Sequence, residues 1–115
     1  MLDVFNDQVD AFIKEDVGRL VNNVSDDFKY FYISSDELVL EVEGKDQFEK
    51  SMRAYFGRGR KVFSKIESYF IDKNRITFKE IVSHKNKNGE TVSSSAIGTY
   101  EIKNGKITRS WYFVD

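Results

Sequence analysis

The sequence predicts an α+β fold in which one strongly curved, mixed but mainly antiparallel sheet wraps around three helices. Three observations carry that expectation. Residues 61–115 read as four long strands joined by tight polar turns, two helical stretches lie near the N-terminus, and a short extended segment followed by a third helix stands between them. A curved sheet has a concave face, and helices packed into it make a container. At 115 residues the chain is expected to form a single domain, 1–115, with one real core.

Phe5, Val9, Phe12 and Ile13 recur at helical spacing, which places the first helix over about 3–15. Val17, Leu20, Val21 and Val24 continue the stripe, but Gly18 weakens it and Asp16 is placed to cap a second helix, which Ser25-Asp26-Asp27 ends. The segment 28–33 carries Phe28, Tyr30, Phe31 and Tyr32, aromatic on both faces, as in a strand buried on both sides. Ser34-Ser35-Asp36 turns the chain into a short extended piece, Leu38 to Val42. Asp46 followed by Glu49 resembles a capping box. Phe48, Met52, Tyr55 and Phe56 give the third helix one apolar face, and Gly57 and Gly59 stop it.

The four strands are expected at about 61–71, 75–85, 90–102 and 106–114. Lys87-Asn88-Gly89 and Lys103-Asn104-Gly105 suit three-residue loops with glycine in the left-handed position, and Asp72-Lys73-Asn74 forms the remaining turn. Strand side chains alternate, so turn length decides which residues share a face. Three-residue loops place Glu80 between Ile66 and Ala96, Phe78 beside Gly98, Val82 beside Ser94, and Ala96 beside Tyr112. The concave face then carries Val62, Ser64, Ile66, Phe70, Ile76, Phe78, Glu80, Val82, His84, Val92, Ser94, Ala96, Gly98, Tyr100, Ser110, Tyr112 and Val114. Small residues at its middle leave room for a pocket. The opposite face carries Tyr69, Ile81, Ile97, Trp111 and Phe113, too apolar for open solvent, so a homodimer through this face is expected. A two-residue Asn104-Gly105 turn would instead flip the last strand and send Arg109 and Trp111 inward.

Composition removes several classes of function. A net charge of −1 gives no global field towards nucleic acid or anionic membrane. The absence of cysteine excludes disulfides, thiol catalysis and thiolate metal sites, and a lone histidine, His84, argues against zinc. The N-terminal residues lack a basic region and an apolar run, and no segment is long and apolar enough to span a bilayer, so a cytoplasmic location is the expectation. No cofactor motif is present: Gly57-Arg58-Gly59 lacks the spacing and the preceding strand of a phosphate loop.

The element order, the Gly-Lys-Asp-Gln-Phe start of the third helix (44–48) and the closing GKITRSWYFVD (105–115) resemble the NTF2-like superfamily, and within it the SnoaL-like group of small cystatin-like cones. The resemblance covers almost the whole chain. It implies a cone with a ligand pocket and dimerisation through the sheet. It also implies a choice among ketosteroid isomerases, polyketide cyclases, epoxide hydrolases, dehydratases and non-enzymatic transport or assembly modules. The isomerase set does not carry over. Its first-helix tyrosine falls near Gln8, its general-base aspartate near Tyr32 and its protonated aspartate near Gly98. The Asp-Pro pair common after the first strand is replaced by Ile-Ser-Ser-Asp-Glu (33–37), and the Asp-Arg-Asp set of the epoxide hydrolases has no counterpart on the pocket face.

Glu80 is the sharpest candidate for chemistry. An unpaired carboxylate flanked by Phe78, Val82, Ile66 and Ala96 has a raised pKa and can move protons near neutral pH. The alternative is a structural glutamate held by Arg19, Arg53 or a tyrosine hydroxyl. Tyr32 is the candidate hydrogen-bond donor beside it, with Tyr112. Ligand contacts are expected from Phe12, Tyr30, Tyr55, Phe78, Val82, Ser94, Ala96, Gly98 and Tyr112, with a small apolar or amphipathic molecule as partner. Arg53, Arg58, Arg60 and Lys61 form a basic cluster that is either a phosphate-binding rim or a solvated loop. The function reads as cofactor-independent proton transfer of isomerase, cyclase or dehydratase type, or as a non-catalytic dimeric module using the outer sheet face.

Overall fold

The computed structural model describes residues 1–59 and 61–113. The expected contributions of Arg60 and Val114 therefore lie outside the described residues, as does the end of the last strand. The elements are α1 (Leu2–Ile13), α2 (Val17–Asn22), β1 (Val24–Ser34), β2 (Glu37–Glu43), α3 (Lys45–Phe56), β3 (Val62–Asp72), β4 (Arg75–Lys85), β5 (Thr91–Lys103) and β6 (Lys106–Phe113). The six strands form one sheet in the order β2-β1-β6-β5-β4-β3. Every pairing is antiparallel except β1 with β6, which is parallel. The α+β class, with helices packed in a mixed sheet, is as the sequence predicts.

Local chemistry explains most boundaries and corrects three. Asp16 caps α2 by accepting from the Arg19 amide at 3.2 Å, and Glu15 in the left-handed region (φ 56°) makes the break between the helices. The second helix is shorter than its apolar stripe. Val24 is the first residue of β1, 1% exposed, and Ser25-Asp26-Asp27 lies within the strand rather than ending a helix. Its neighbour Asn23 holds the junction, because its carbonyl accepts from the Ile107 amide at 2.8 Å and so opens the parallel pairing. The capping box at α3 does not form. Gly44 takes the N-cap position at φ 92°, and the Gln47 side chain instead accepts from the Glu43 amide at 2.8 Å. Nor is β1 buried on both sides: Phe28 is fully buried, whereas Phe31 is half-buried and stacks on Trp111, with ring centroids 5.9 Å apart, on the outer face.

Sheet register follows from turns and bulges together. The β4–β5 loop is the expected three-residue one, closed by Asn86 and Glu90, with Gly89 at φ 79°. The β5–β6 turn is the two-residue Asn104-Gly105 form, with both residues at positive φ (53° and 75°) and Lys103 paired to Lys106. The last strand nevertheless does not flip. Thr108 is an extra, unpaired residue between the Ile102–Ile107 and Glu101–Arg109 pairs, and this bulge restores the alternation. Trp111 stays outside and Tyr112 inside, and Tyr112 pairs with Gly98 rather than lying beside Ala96. The Thr108 hydroxyl donates to the Glu101 carboxylate at 2.8 Å, which satisfies a residue only 7% exposed.

The β3–β4 hairpin uses the same device. Asp72 pairs with Arg75 across a two-residue turn, and Glu67 is the extra residue beyond which Ile66 meets Glu80. Between turn and bulge the faces are exchanged relative to the sequence expectation. Tyr69 pairs with Phe78 and contacts Phe5, with centroids 6.2 Å apart, so it belongs to the helix side rather than to the outer surface. Phe70 pairs with Thr77 and is 66% exposed, so it is not a concave-face residue. The core lies between the concave face and the helices, centred on Phe5, Ala11, Leu20, Val24, Ile76 and Ile107, each at most 2% exposed. No helix among the described residues is long and apolar enough to cross a membrane.

Candidate functional site in the concave face

A cavity of about 530 Å³ opens between the concave face and the helices. Helical spacing places Val9 and Phe12 of α1 on its wall, while α3 contributes Phe48, Ser51, Met52 and Tyr55. The sheet contributes Phe28 and Tyr30 from β1, Phe78, Glu80 and Val82 from β4, Ala96 and Tyr100 from β5, and Ser110 and Tyr112 from β6. The lining is mainly aromatic and aliphatic, with a few polar groups directed inward, as in small-molecule sites generally.

Gly98 fixes how the aromatic floor is laid. A Cβ there would lie 2.8 Å from Phe78 Cζ and 2.9 Å from Tyr112 Cε1, closer than side chains tolerate. The missing side chain lets both rings cross over β5. Tyr112 then reaches Tyr100, and their hydroxyl oxygens are 3.2 Å apart. Both phenols are pushed up, by burial above all, and so remain neutral hydrogen-bond donors. Tyr30 is likewise raised to about 12, mainly by burial and then by the charges of Glu41 and Glu80.

Glu80 pairs across the sheet with Ile66 and Ala96, as the three-residue reading of the loops placed it, and lines the cavity. Neither arginine expected as its structural partner reaches it. Arg19 pairs with Asp7 and Asp10, and Arg53 with Glu49 at 3.0 Å. Its hydrogen bond is from the Ser64 hydroxyl, two residues before Ile66 on β3. Burial raises the carboxyl above its ordinary value of 4.5, and the Ser64 hydrogen bond opposes that rise without cancelling it. A carboxyl in this setting keeps its proton to higher pH than an exposed one.

Of the residues singled out in the sequence, the cavity brings together Glu80, Phe12, Tyr30, Tyr55, Phe78, Val82, Ala96 and Tyr112. Tyr32, Ser94 and Gly98 are not among its lining residues. Tyr32 pairs with Tyr112 near the end of β1, Ser94 pairs with Val82, and Gly98 acts through the rings above it. Sequence reasoning missed Ser64 as partner of the acid, Tyr100 as partner of Tyr112 and Glu41 as a lining charge, and it named Arg58 only within a basic cluster read as either a rim or a solvated loop. Tyr100 was legible from alternation along β5. Glu41 was not, because it is the extra residue of a further bulge, between the Tyr30–Val42 and Phe31–Leu40 pairs. Gln8 is 5% exposed and holds α2, donating to the Leu20 carbonyl at 3.4 Å and accepting from Asn23 at 3.0 Å. Among the described residues no cluster of His, Cys, Asp or Glu could hold a metal ion.

The titration of Glu80 has a consequence for stability. Its folded pKa is raised above the unfolded value, so its contribution is fully present below about pH 4.5 and is lost as pH rises through the folded pKa. Glu80→Gln cannot ionise and escapes that loss. The variant is expected to gain stability relative to the parent as pH rises above about 4.5, measured by urea unfolding at each pH. No gain as pH rises would show that the carboxylate is not penalised in the folded state.

Solved structures that resemble this fold over nearly its whole length include the following three. An uncharacterised cystatin-fold protein from Novosphingobium aromaticivorans superposes with a TM-score of 0.79 at 17% identity, covering 96% of this chain and 95% of that one. An LEH-like epoxide hydrolase from M. tuberculosis gives 0.80 at 18% identity, covering 98% and 80%. TerC, co-crystallised with polyporic acid, gives 0.76 at 12% identity, covering 99% and 90%. At these identities the likeness is one of fold. No curated protein matches the chain in sequence. The SnoaL-like domain family matches residues 5–110, in agreement with the resemblance carried by 44–48 and 105–115, and the chain belongs to that family.

Proposed function

We propose that the cone binds a small, mostly apolar molecule and transfers a proton within it without a cofactor, in chemistry of isomerase, cyclase or dehydratase type. The observation that carries this reading is Glu80, a carboxyl raised by burial on the wall of a cavity otherwise lined mainly by apolar and aromatic groups. The hydrogen-bonded pair Tyr112 and Tyr100 supplies a neutral hydroxyl donor on the same face, suited to a ligand oxygen that gains charge as the proton leaves carbon. Tyr32 is set aside in that role in favour of Tyr100, because Tyr100 lines the cavity. TerC, a structural neighbour, was co-crystallised with polyporic acid, which is compatible with a cone of this shape holding a small organic molecule.

The test is carbon-acid exchange. In heavy water, the protein is expected to accelerate deuterium uptake by at least one member of a panel of enolisable cyclic ketones. The rate should rise with pH through a midpoint above 4.5. Glu80→Gln should lower that rate by about 10²-fold or more. Exchange that proceeds equally in Glu80→Gln would remove the acid from the mechanism.

A second reading, a non-catalytic dimeric module, is favoured by the outer face of the sheet. Phe63, Phe70, Ile97 and Phe113 are 49–66% exposed there, beside the stacked pair Phe31 and Trp111 and near Ile81. We take this face to bind a second copy of the chain in either reading, with Tyr69 removed from the set and Phe31, Phe63 and Phe70 added. Sedimentation is expected to give a dimer for the parent and a folded monomer for Ile97→Glu combined with Phe113→Glu. A parent that sediments as a monomer would contradict the dimer. If Glu80→Gln proved silent while Trp111→Ala abolished assembly, the non-catalytic reading would replace the first.

A further inference from the structure

The basic cluster at the end of α3 separates into groups with different tasks. Arg53 is taken by Glu49 at 3.0 Å, and Lys61 by Glu15 at 3.1 Å and the Ile13 carbonyl at 2.8 Å. Arg58 has no ion pair among the described residues and instead lines the cavity. It lies on the turn after Gly57, is exposed, and carries its guanidinium over the Tyr55 ring at 5.6 Å from the centroid. Exposed yet lining the cavity, it marks the rim, and it is the cation among the lining residues. Glu41, also exposed, is the other charge at the rim, while Glu80 lies on the sheet wall.

From this arrangement we infer that the cavity takes amphipathic organic acids, with Arg58 holding the anionic group at the rim and Phe12, Met52 and Tyr55 covering the apolar body. The guanidinium fork matches the oxygens of a carboxylate, sulfonate or phosphate. Stacking on Tyr55 holds it partly in place before the ligand arrives, which lowers the ordering cost of binding. The aromatic wall behind it disfavours a small, fully hydrated anion, so the two ends together select molecules with a charged head and an apolar body. The inference rests on the reading of the cavity as a ligand site and adds to it the class of ligand and the residue that selects it.

Two probes of nearly the same shape separate the inference from its foundation. One is 8-anilinonaphthalene-1-sulfonate, and the other is N-phenyl-1-naphthylamine, which lacks the sulfonate. Binding is followed by fluorescence, and its place by amide chemical shifts. Both probes are expected to shift cavity residues such as Phe12, Met52 and Ser110. Arg58→Gln should weaken the sulfonate about three- to tenfold and change the uncharged probe less than twofold. Glu41→Gln should tighten the sulfonate, and raising salt should weaken it selectively in the parent, which provides a readout independent of how the Arg58 variant folds. If both probes bind in the cavity but Arg58→Gln and salt leave the sulfonate unaffected, or weaken both probes alike, selection by Arg58 is wrong while the ligand site stands. If neither probe shifts the cavity residues, or shifts appear only at outer-face residues such as Phe63 and Phe113, the ligand-site reading fails and the inference fails with it.

Discussion

Everything in this molecule depends on keeping the alternation of the sheet in step with its turns. A strand side chain changes face when the register moves by one residue. Three of the hairpins close through two-residue turns, which alone would reverse the faces of the strands beyond them. Each is corrected by a single extra residue, Glu41 in β2, Glu67 in β3 and Thr108 in β6. The last two bulges are tied down, Glu67 by Lys79 at 2.8 Å and Thr108 by Glu101 at 2.8 Å. A bulge also increases local twist, so the devices that set the faces add to the curvature that opens the cone.

From that alternation the cavity follows. Glu80, Tyr100 and Tyr112 come from three neighbouring strands and reach the same space because their registers agree. Gly98 then admits the Phe78 and Tyr112 rings, turning a potential clash into a continuous aromatic floor. Burial dominates the electrostatics of this floor: it raises Glu80, Tyr30, Tyr100 and Tyr112 in the same direction. The site is thus held proton-rich by its surroundings rather than by an arrangement of opposite charges. The opposed charges are placed elsewhere, at the α1–α2 junction, where Arg19 draws down Asp7, Lys14 and then Arg19 draw down Asp10, and Arg19 ties α2 to α1.

The legible parts of the fold were those governed by periodicity. Helix faces and the pairing of Glu80 with Ala96 follow from spacing and from loop length in the β4–β5 hairpin, which contains no bulge, whereas Ile66 meets Glu80 because a two-residue turn and the Glu67 bulge cancel. What could not be read were features that break periodicity. The bulges at Glu67 and Thr108 carry no distinctive residue, so Tyr69 and Phe70 were assigned to each other's faces, and Trp111 was placed correctly through a turn that is not the one present. The start of β1 was hidden for a related reason: Val24 fits the helical stripe of α2 and the buried end of a strand equally well, and the Asn23 carbonyl, through its bond to Ile107, decides between them. At the site, Ser64 and Arg58 were present in the sequence reading as a face residue and as part of a cluster. Only three-dimensional neighbours distinguish them: Glu49 and Glu15 remove Arg53 and Lys61 from contention.

The central claim is that the cone surrounds one carboxyl whose proton is held by desolvation. Selective carbon labelling of the glutamate side chains allows Glu80 to be titrated directly by nuclear magnetic resonance, with Glu80→Gln identifying its signal. The account expects a midpoint above the ordinary 4.5, moving further up in Ser64→Ala, where the opposing hydrogen bond is lost. A midpoint at or below 4.5 would contradict it.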